Sequence, residues 1–167
     1  MNRAAEDREA LITELTRDAI PAWAILSVQI NGIVAGMLGV TETDVQCLHV
    51  LGRRGPTTPG VLAEYVNLTT GSASRMIDRL VAAGCVRRVP DPGDRRRVLI
   101  EPTPEGLDRV HAAYAGLIAR TRGELAGLDQ ERLADLLAFV RALEEGTAAE
   151  IRRLRSPAPA APEAARG

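Results

Sequence analysis

The chain contains no lysine: all 21 of its basic residues are arginine, a bias that GC-rich coding produces without any functional demand. Aromatic residues are almost as scarce, at 2%, so the core must be aliphatic, and the abundant Leu, Val and Ala suit helix packing. Two cysteines, Cys47 and Cys85, make neither a disulfide framework nor a metal-ligand cluster. Two histidines far apart in sequence, His49 and His111, argue against a zinc sensor. There is no Ser/His/Asp or Cys/His pairing, no phosphate-binding glycine loop and no metal-ligand spacing, so neither an enzyme nor a cofactor is expected. The apolar stretches read as shorter than the roughly 18–20 uncharged residues that span a bilayer. The N-terminal "MNRAAEDREALITELTRD" is acidic and amphipathic, unlike a signal peptide. A cytoplasmic protein without a membrane partner is expected, of a size for one domain.

What is present is helical periodicity with one interruption. Residues 6–38 repeat apolar side chains at helical spacing, with Pro21 starting a new helix or kinking a long one and Gly39 closing it. Thr41 is placed to cap a helix carrying Val45, Leu48 and Leu51 on one face. Thr58 followed by Pro59 is a second start signal. After a turn at Asn67 and Leu68, "TTGSASRMIDRLVAAG" reads as a capped helix stopped by Gly84. The period then changes: "CVRRV" and "RVLIE" are β-like runs flanking the turn-forming "PDPGDR". Helix returns after Thr103, and a second long helix capped by Asp129 continues near coiled-coil spacing through Leu154. The Pro/Ala-rich residues 156–167 read as disordered.

Two short helices joined by a tight turn and followed by a hairpin make a winged helix-turn-helix, in which the second helix enters the DNA major groove. The expected fold is mainly α with a small β-wing, flanked by long terminal dimerisation helices. The expected organisation is 1–39 and 104–155 as the dimerisation region, 40–103 as the DNA-binding domain and 156–167 as the tail. The terminal helices carry more apolar face than the middle can cover; a two-fold dimer is the simplest way to bury it, and a monomeric helical bundle packing on itself is the alternative.

Charge is distributed in keeping with this. Residues 67–100 hold seven arginines against three aspartates, net +4, on a chain of net −1, and a local basic patch points to an anionic partner. At about 100° per residue, Ala73, Ile77, Leu80 and Val81 fall on one side of the helix, with Ser72, Arg75 and Arg79 opposite. A solvated amphipathic helix carries the same pattern. The outward stripe differs in having arginines suited to guanine edges or phosphates, small hydroxyl residues and no glutamate. Thr69 and Thr70 place free backbone N–H groups at the helix start, and Asp78 is three residues from Arg75, close enough to hold it. Arg95, Arg96 and Arg97 cluster at the hairpin tip, where the minor groove would be nearest.

Residues 40–106 resemble the winged-helix region of the MarR family of bacterial transcription regulators. "LAEYVNLTTGSASRMIDRLVAAGCVRR" is similar to its helix-turn-helix, and "DPGDRRRVLIEPTPEG" to its wing and the Thr-x-x-Gly that opens the next helix; with the flanking helices the likeness spans roughly 8–155. The resemblance implies that Arg96 enters the minor groove supported by Asp94, and that Thr70, Ser72, Ser74 and Arg75 approach the major groove. The helical geometry favours Arg79, as a phosphate contact, over Ser74. Pro102 departs from the family pattern, which has leucine there, and is expected to shorten the second wing strand. The resemblance also implies repression of a pseudo-palindromic operator, relieved by a small aromatic or phenolic effector, for which Trp23 and His49 are the candidate pocket residues. Two other readings stand beside this one: a thiol-based redox sensor using Cys47 or Cys85, and a winged-helix module that binds protein and not DNA.

Overall fold

The computed structural model describes residues 3–155; the tail expected to be disordered, 156–167, lies outside the described residues. The order is α1 (Arg3–Glu14), a single π-helical turn (Leu15–Ala19), α2 (Ile20–Leu38), α3 (Glu42–Arg54), α4 (Pro59–Tyr65), α5 (Thr70–Ala82), β1 (Val86–Pro90), β2 (Val98–Pro102), α6 (Pro104–Ala126) and α7 (Gln130–Arg155). By contact density the chain divides into two units, Met1–Ala115 and Gly116–Gly167.

In the first unit, Pro21 stands in the first turn of α2, as a start signal does, and the chain runs into it from α1 through the π turn without leaving helical conformation. A proline lacks an N–H and its ring crowds the carbonyl four residues back. The π turn just before it adds the slack that this requires: Ile20 N–H donates to the Leu15 carbonyl, five residues back, with both flanking residues in helical conformation. One expectation is corrected here. The helix Arg3–Leu38 holds an 18-residue window of mean hydropathy 1.5, long and apolar enough to cross a bilayer by length and composition. Ser27, Gln29 and Asn31 interrupt the apolar residues but add no charge between Ala19 and Thr41.

Local side-chain chemistry sets the helix starts. Thr41 and Asp44 form a reciprocal capping box, with Asp44 N–H donating to Thr41 Oγ1 at 3.3 Å and Thr41 N–H donating to Asp44 Oδ2 at 2.8 Å. Thr58 and Thr69 accept from Val61 N–H and Ser72 N–H in the same way. Asn67, at φ 55°, makes the turn between α4 and α5, a left-handed position that asparagine tolerates.

The core joins Val34 and Leu38 of α2, Val45, Leu48 and Leu51 of α3, Leu62 of α4, Met76, Ile77 and Leu80 of α5, Ile100 of β2, and Val110 and Tyr114 of α6. It is aliphatic but for Tyr114, and it draws on the end of α2 and the start of α6 as well as on residues 40–103. Met76 takes the buried place expected for Val81, which is exposed.

The wing strands pair antiparallel from Val86↔Pro102 to Pro90↔Val98, one residue later than expected. Pro102 does not shorten β2. It ends it, a strand position where a missing N–H is tolerated. Thr57 adds a bridge, exchanging backbone hydrogen bonds with Ile100 at 3.1 and 2.8 Å, so the loop before α4 is tied to the wing.

Gly106 closes the junction between wing and α6. A Cβ there would lie 2.5 Å from the Cys85 carbonyl oxygen and 2.7 Å from Cys85 Cα. Gly106 N–H donates to Thr103 Oγ1 at 2.9 Å, and that hydroxyl donates to the Gly84 carbonyl at 2.7 Å. Gly106→Ala therefore forces two backbones apart. Urea unfolding should show a loss of about 2 kcal/mol, the range of small-to-large changes at packed sites.

In the second unit, the remainder of α6 leads through a turn to α7. Asp129 caps α7, its Oδ1 accepting from Arg132 N–H at 2.9 Å. No residue of α7 is buried. Leu133, Leu136, Leu137, Phe139, Val140, Leu143, Ile151 and Leu154 are all exposed.

Candidate nucleic-acid interface

Helix α5 presents its buried side through Ala73, Met76, Ile77 and Leu80, and its outer side is organised by hydrogen bonds. Thr69 Oγ1 donates to Ser72 Oγ at 3.1 Å, and Arg75 Nη2 donates to the same oxygen at 3.1 Å. Thr70 and Ser74 are exposed, and Ser74 Oγ donates to the Thr70 carbonyl at 3.1 Å. Ser74 thus faces solvent, although helical geometry, which places it closer to the buried side, favours Arg79 over it.

Arg79 does not stand free beside Arg75. Its Nε donates to Asp44 Oδ2 at 3.0 Å and its Nη2 to Asp44 Oδ1 at 2.7 Å. The Asp44 side chain is 0% exposed and the Arg79 side chain 46%. The fork-to-carboxylate geometry raises the Arg79 pKa, chiefly through the hydrogen bonds to Asp44. One carboxylate therefore both caps α3 and fastens α5 to it. Asp78 likewise holds Arg88 of β1, at 2.7 Å, and not Arg75.

The wing arginines fall into two groups. Arg87 is paired across the strands with Glu101 at 2.8 Å, Arg88 with Asp78, and Arg97 lies 3.8 Å from Asp91. Arg95 and Arg96 are exposed and make no salt bridge among the described residues. Asp94 supports the tip through the backbone and not through a guanidinium. Its Oδ1 accepts from Arg96 N–H at 3.0 Å, and its carbonyl accepts from Arg97 N–H at 2.8 Å. The turn itself thus aims Arg95 and Arg96.

The structure is thus a winged helix-turn-helix with an arginine-bearing second helix and a basic wing tip, and known proteins share this fold. The MarR family profile matches residues 38–97. The HTH-type transcriptional regulator YcgE of Bacillus subtilis (strain 168) is 31% identical over 146 residues, covering 86% of this chain and 95% of that one. The chain belongs to the MarR family. It is a DNA-binding transcription regulator, and its relatives are regulators and not enzymes. The multiple antibiotic resistance protein MarR of Salmonella typhimurium is 36% identical over 69 residues, 41% of this chain and 48% of that protein. The crystal structure of RV1404 from Mycobacterium tuberculosis shares the fold, with a TM-score of 0.59 at 24% identity over 79% of this chain and 92% of that one.

The residues considered for signal input lie elsewhere in this MarR-family chain. Trp23 is 63% exposed on α2. His49 Nε2 lies 3.3 Å from Tyr114 Oη, which donates to Asn31 Oδ1 at 2.5 Å. The chain of partners joins α3, α6 and α2, and leaves Tyr114 to accept from a His49 Nε2–H. Desolvation against this neighbourhood lowers the His49 pKa, which favours that neutral ring. Neither Trp23 nor His49 lines the groove of about 250 Å³ formed by Met37, Leu38, Arg109, Ala112 and Ala113. Both cysteines are buried. Burial, with Asp44 adding to it, pushes the Cys47 thiol up to about 12, and burial also raises that of Cys85. A sensing thiol needs the opposite shift and access to solvent.

Sequence reasoning missed Asp44, Thr57 and the Asp78–Arg88 pair. The only local signal for Asp44 was its place three residues after Thr41, which marks a capping box but says nothing of Arg79.

Proposed function

We propose that the protein is a homodimeric repressor of a pseudo-palindromic operator, with α5 in successive major grooves at half-sites about 10–10.5 base pairs apart. Thr69, Thr70, Ser72, Ser74 and Arg75 approach the major groove. Arg95 and Arg96 reach the flanking minor groove, with Arg97 held back by Asp91. Arg79 acts through Asp44 as the fastening of α5 and not as a phosphate contact. The observation that carries this reading is the sorting of the wing arginines, because the two at the tip alone lack a carboxylate. The terminal helices form the subunit interface, where the exposed apolar side chains of α1, α2 and α7 are covered by the second copy rather than by lipid.

Release by a small effector fits the groove beside Arg109. That guanidinium donates to the Ala83 carbonyl at 2.9 Å and the Leu38 carbonyl at 3.2 Å, joining the ends of α5 and α2. An apolar or phenolic occupant that shifted Arg109 would loosen the recognition helix.

The test is fluorescence anisotropy on the protein's own upstream DNA across a salt series. Arg96→Ala should weaken binding and reduce the slope of log K against log salt by about one. Arg87→Ala, which removes a paired arginine, should leave the slope as it is. Equal slopes in wild type and Arg96→Ala would contradict the wing contact. No binding to the duplex even at low salt, where phosphate contacts are strongest, would favour the protein-interaction module.

A further inference from the structure

We infer that the edge of α5 formed by Gly71, Ser72 and Arg75 reads a guanine, and that position 71 carries only hydrogen so that the base-pair edge can close on the helix. This rests on the reading that α5 enters the major groove.

The first observation is the direction of the hydrogen bonds. Ser72 Oγ accepts from Thr69 Oγ1 and from Arg75 Nη2. With Thr69 as the donor in their shared hydrogen bond, both of its lone pairs are in use and its own hydrogen is left for an acceptor outside the chain. Arg75 commits one N–H to Ser72 and keeps the others. Asp78, the one carboxylate in α5, is held by Arg88. Ser74, which could accept, sits about 100° round the helix from Arg75. The edge is therefore a set of donors. In the major groove guanine offers two adjacent acceptors, N7 and O6, whereas thymine offers one, O4, beside a methyl group, adenine pairs an acceptor with a donor, and cytosine offers a donor. Guanine is the complementary base.

The second observation is independent of the first. Gly71 lies one turn before Arg75 on the same face. A Cβ there would meet no atom within 4 Å and its φ is not in the left-handed region, as at Gly52 and Gly60, but only Gly71 lies on the α5 edge beside Arg75. Nothing inside the fold asks for glycine, which forms helix less readily than alanine. What glycine does allow is close approach of the backbone to something outside.

The experiment selects duplexes from a random library with the full-length protein. It then replaces each guanine of the selected half-site with 7-deazaguanine, which removes N7 and keeps Watson–Crick pairing. At one guanine, the replacement should weaken wild-type binding about tenfold, within the range of losing a base-specific contact, and should change Arg75→Ala binding less than twofold. Gly71→Ala should bind the selected duplex about tenfold more weakly while melting at the wild-type temperature or above it. The inference is overturned if no guanine is sensitive to the replacement, if Arg75→Ala keeps the sensitivity, or if Gly71→Ala binds as wild type does. If the library yields no preferred duplex, the operator reading itself falls, and this inference with it.

Discussion

Arg79→Ala should lower the thermal midpoint by roughly 6–12 °C, corresponding to about 3 kcal/mol for a chain of this size. The reason is what the substitution leaves behind. Asp44 is fully buried, and without the guanidinium its carboxylate keeps only the Thr41 N–H as a partner. Removing one member of a buried pair typically costs about 3–5 kcal/mol because the other charge is stranded. The low end applies because the Arg79 side chain is 46% exposed, so part of the pair already faces water. Arg79→Lys should recover only part of the loss, since an ammonium cannot reproduce two parallel N–H bonds. The double variant Asp44→Ala/Arg79→Ala should be less destabilised than the two single losses added together, the mark of coupled residues. Differential scanning calorimetry at fixed protein concentration measures all four. A wild-type melting curve for Arg79→Ala, with DNA binding reduced, would return Arg79 to the phosphate contact that helical geometry alone assigned it.

That contrast shows what kind of information a single sequence carries. Thr41, Thr58, Thr69 and Asp129 were legible as caps because a cap acts within three residues of itself. The hairpin was legible because turn formers and alternation are equally local. Charge partners were not. Asp78 lies a helical turn from Arg75 and ten residues from Arg88, and the structure chooses Arg88, since β1 returns across α5. Asp44 meets Arg79 across 35 residues, and Thr57 meets Ile100 across a still longer span. None of these leaves a periodic trace. The Thr-x-x-Gly after the wing was visible as a family pattern, but its cause, the backbone of Cys85 lying within van der Waals distance of Gly106, is a fact of packing. The candidate site followed the same division. The stripe of Ser72 and Arg75 came from periodicity, whereas separating Arg95 and Arg96 from the neutralised arginines around them needed coordinates.

Leu137→Glu/Val140→Glu should convert the protein to a monomer and cost about 10²–10⁴ in affinity for a two-half-site operator. The two side chains are 51% and 50% exposed in the middle of α7, a helix of 26 residues that buries none of its own side chains. An amphipathic helix draws most of its stability in a protein from a packed apolar face, and α7 has the face but no cover among the described residues. In the proposed dimer a second copy supplies that cover with two-fold symmetry, and the same symmetry presents two copies of α5 to the two halves of the proposed operator. Once one half-site is bound, the second binds at the effective concentration set by the dimer, and that advantage is what the two glutamates remove. Neither residue belongs to the core described for the first unit, so each winged helix should stay folded and still bind a single half-site at its own weaker affinity. Light scattering after gel filtration reads the mass, and anisotropy on duplexes carrying one or two half-sites reads the binding. A dimeric mass with full operator affinity would show that the subunits meet elsewhere. A monomeric mass with undiminished affinity would show that the operator is read one half-site at a time.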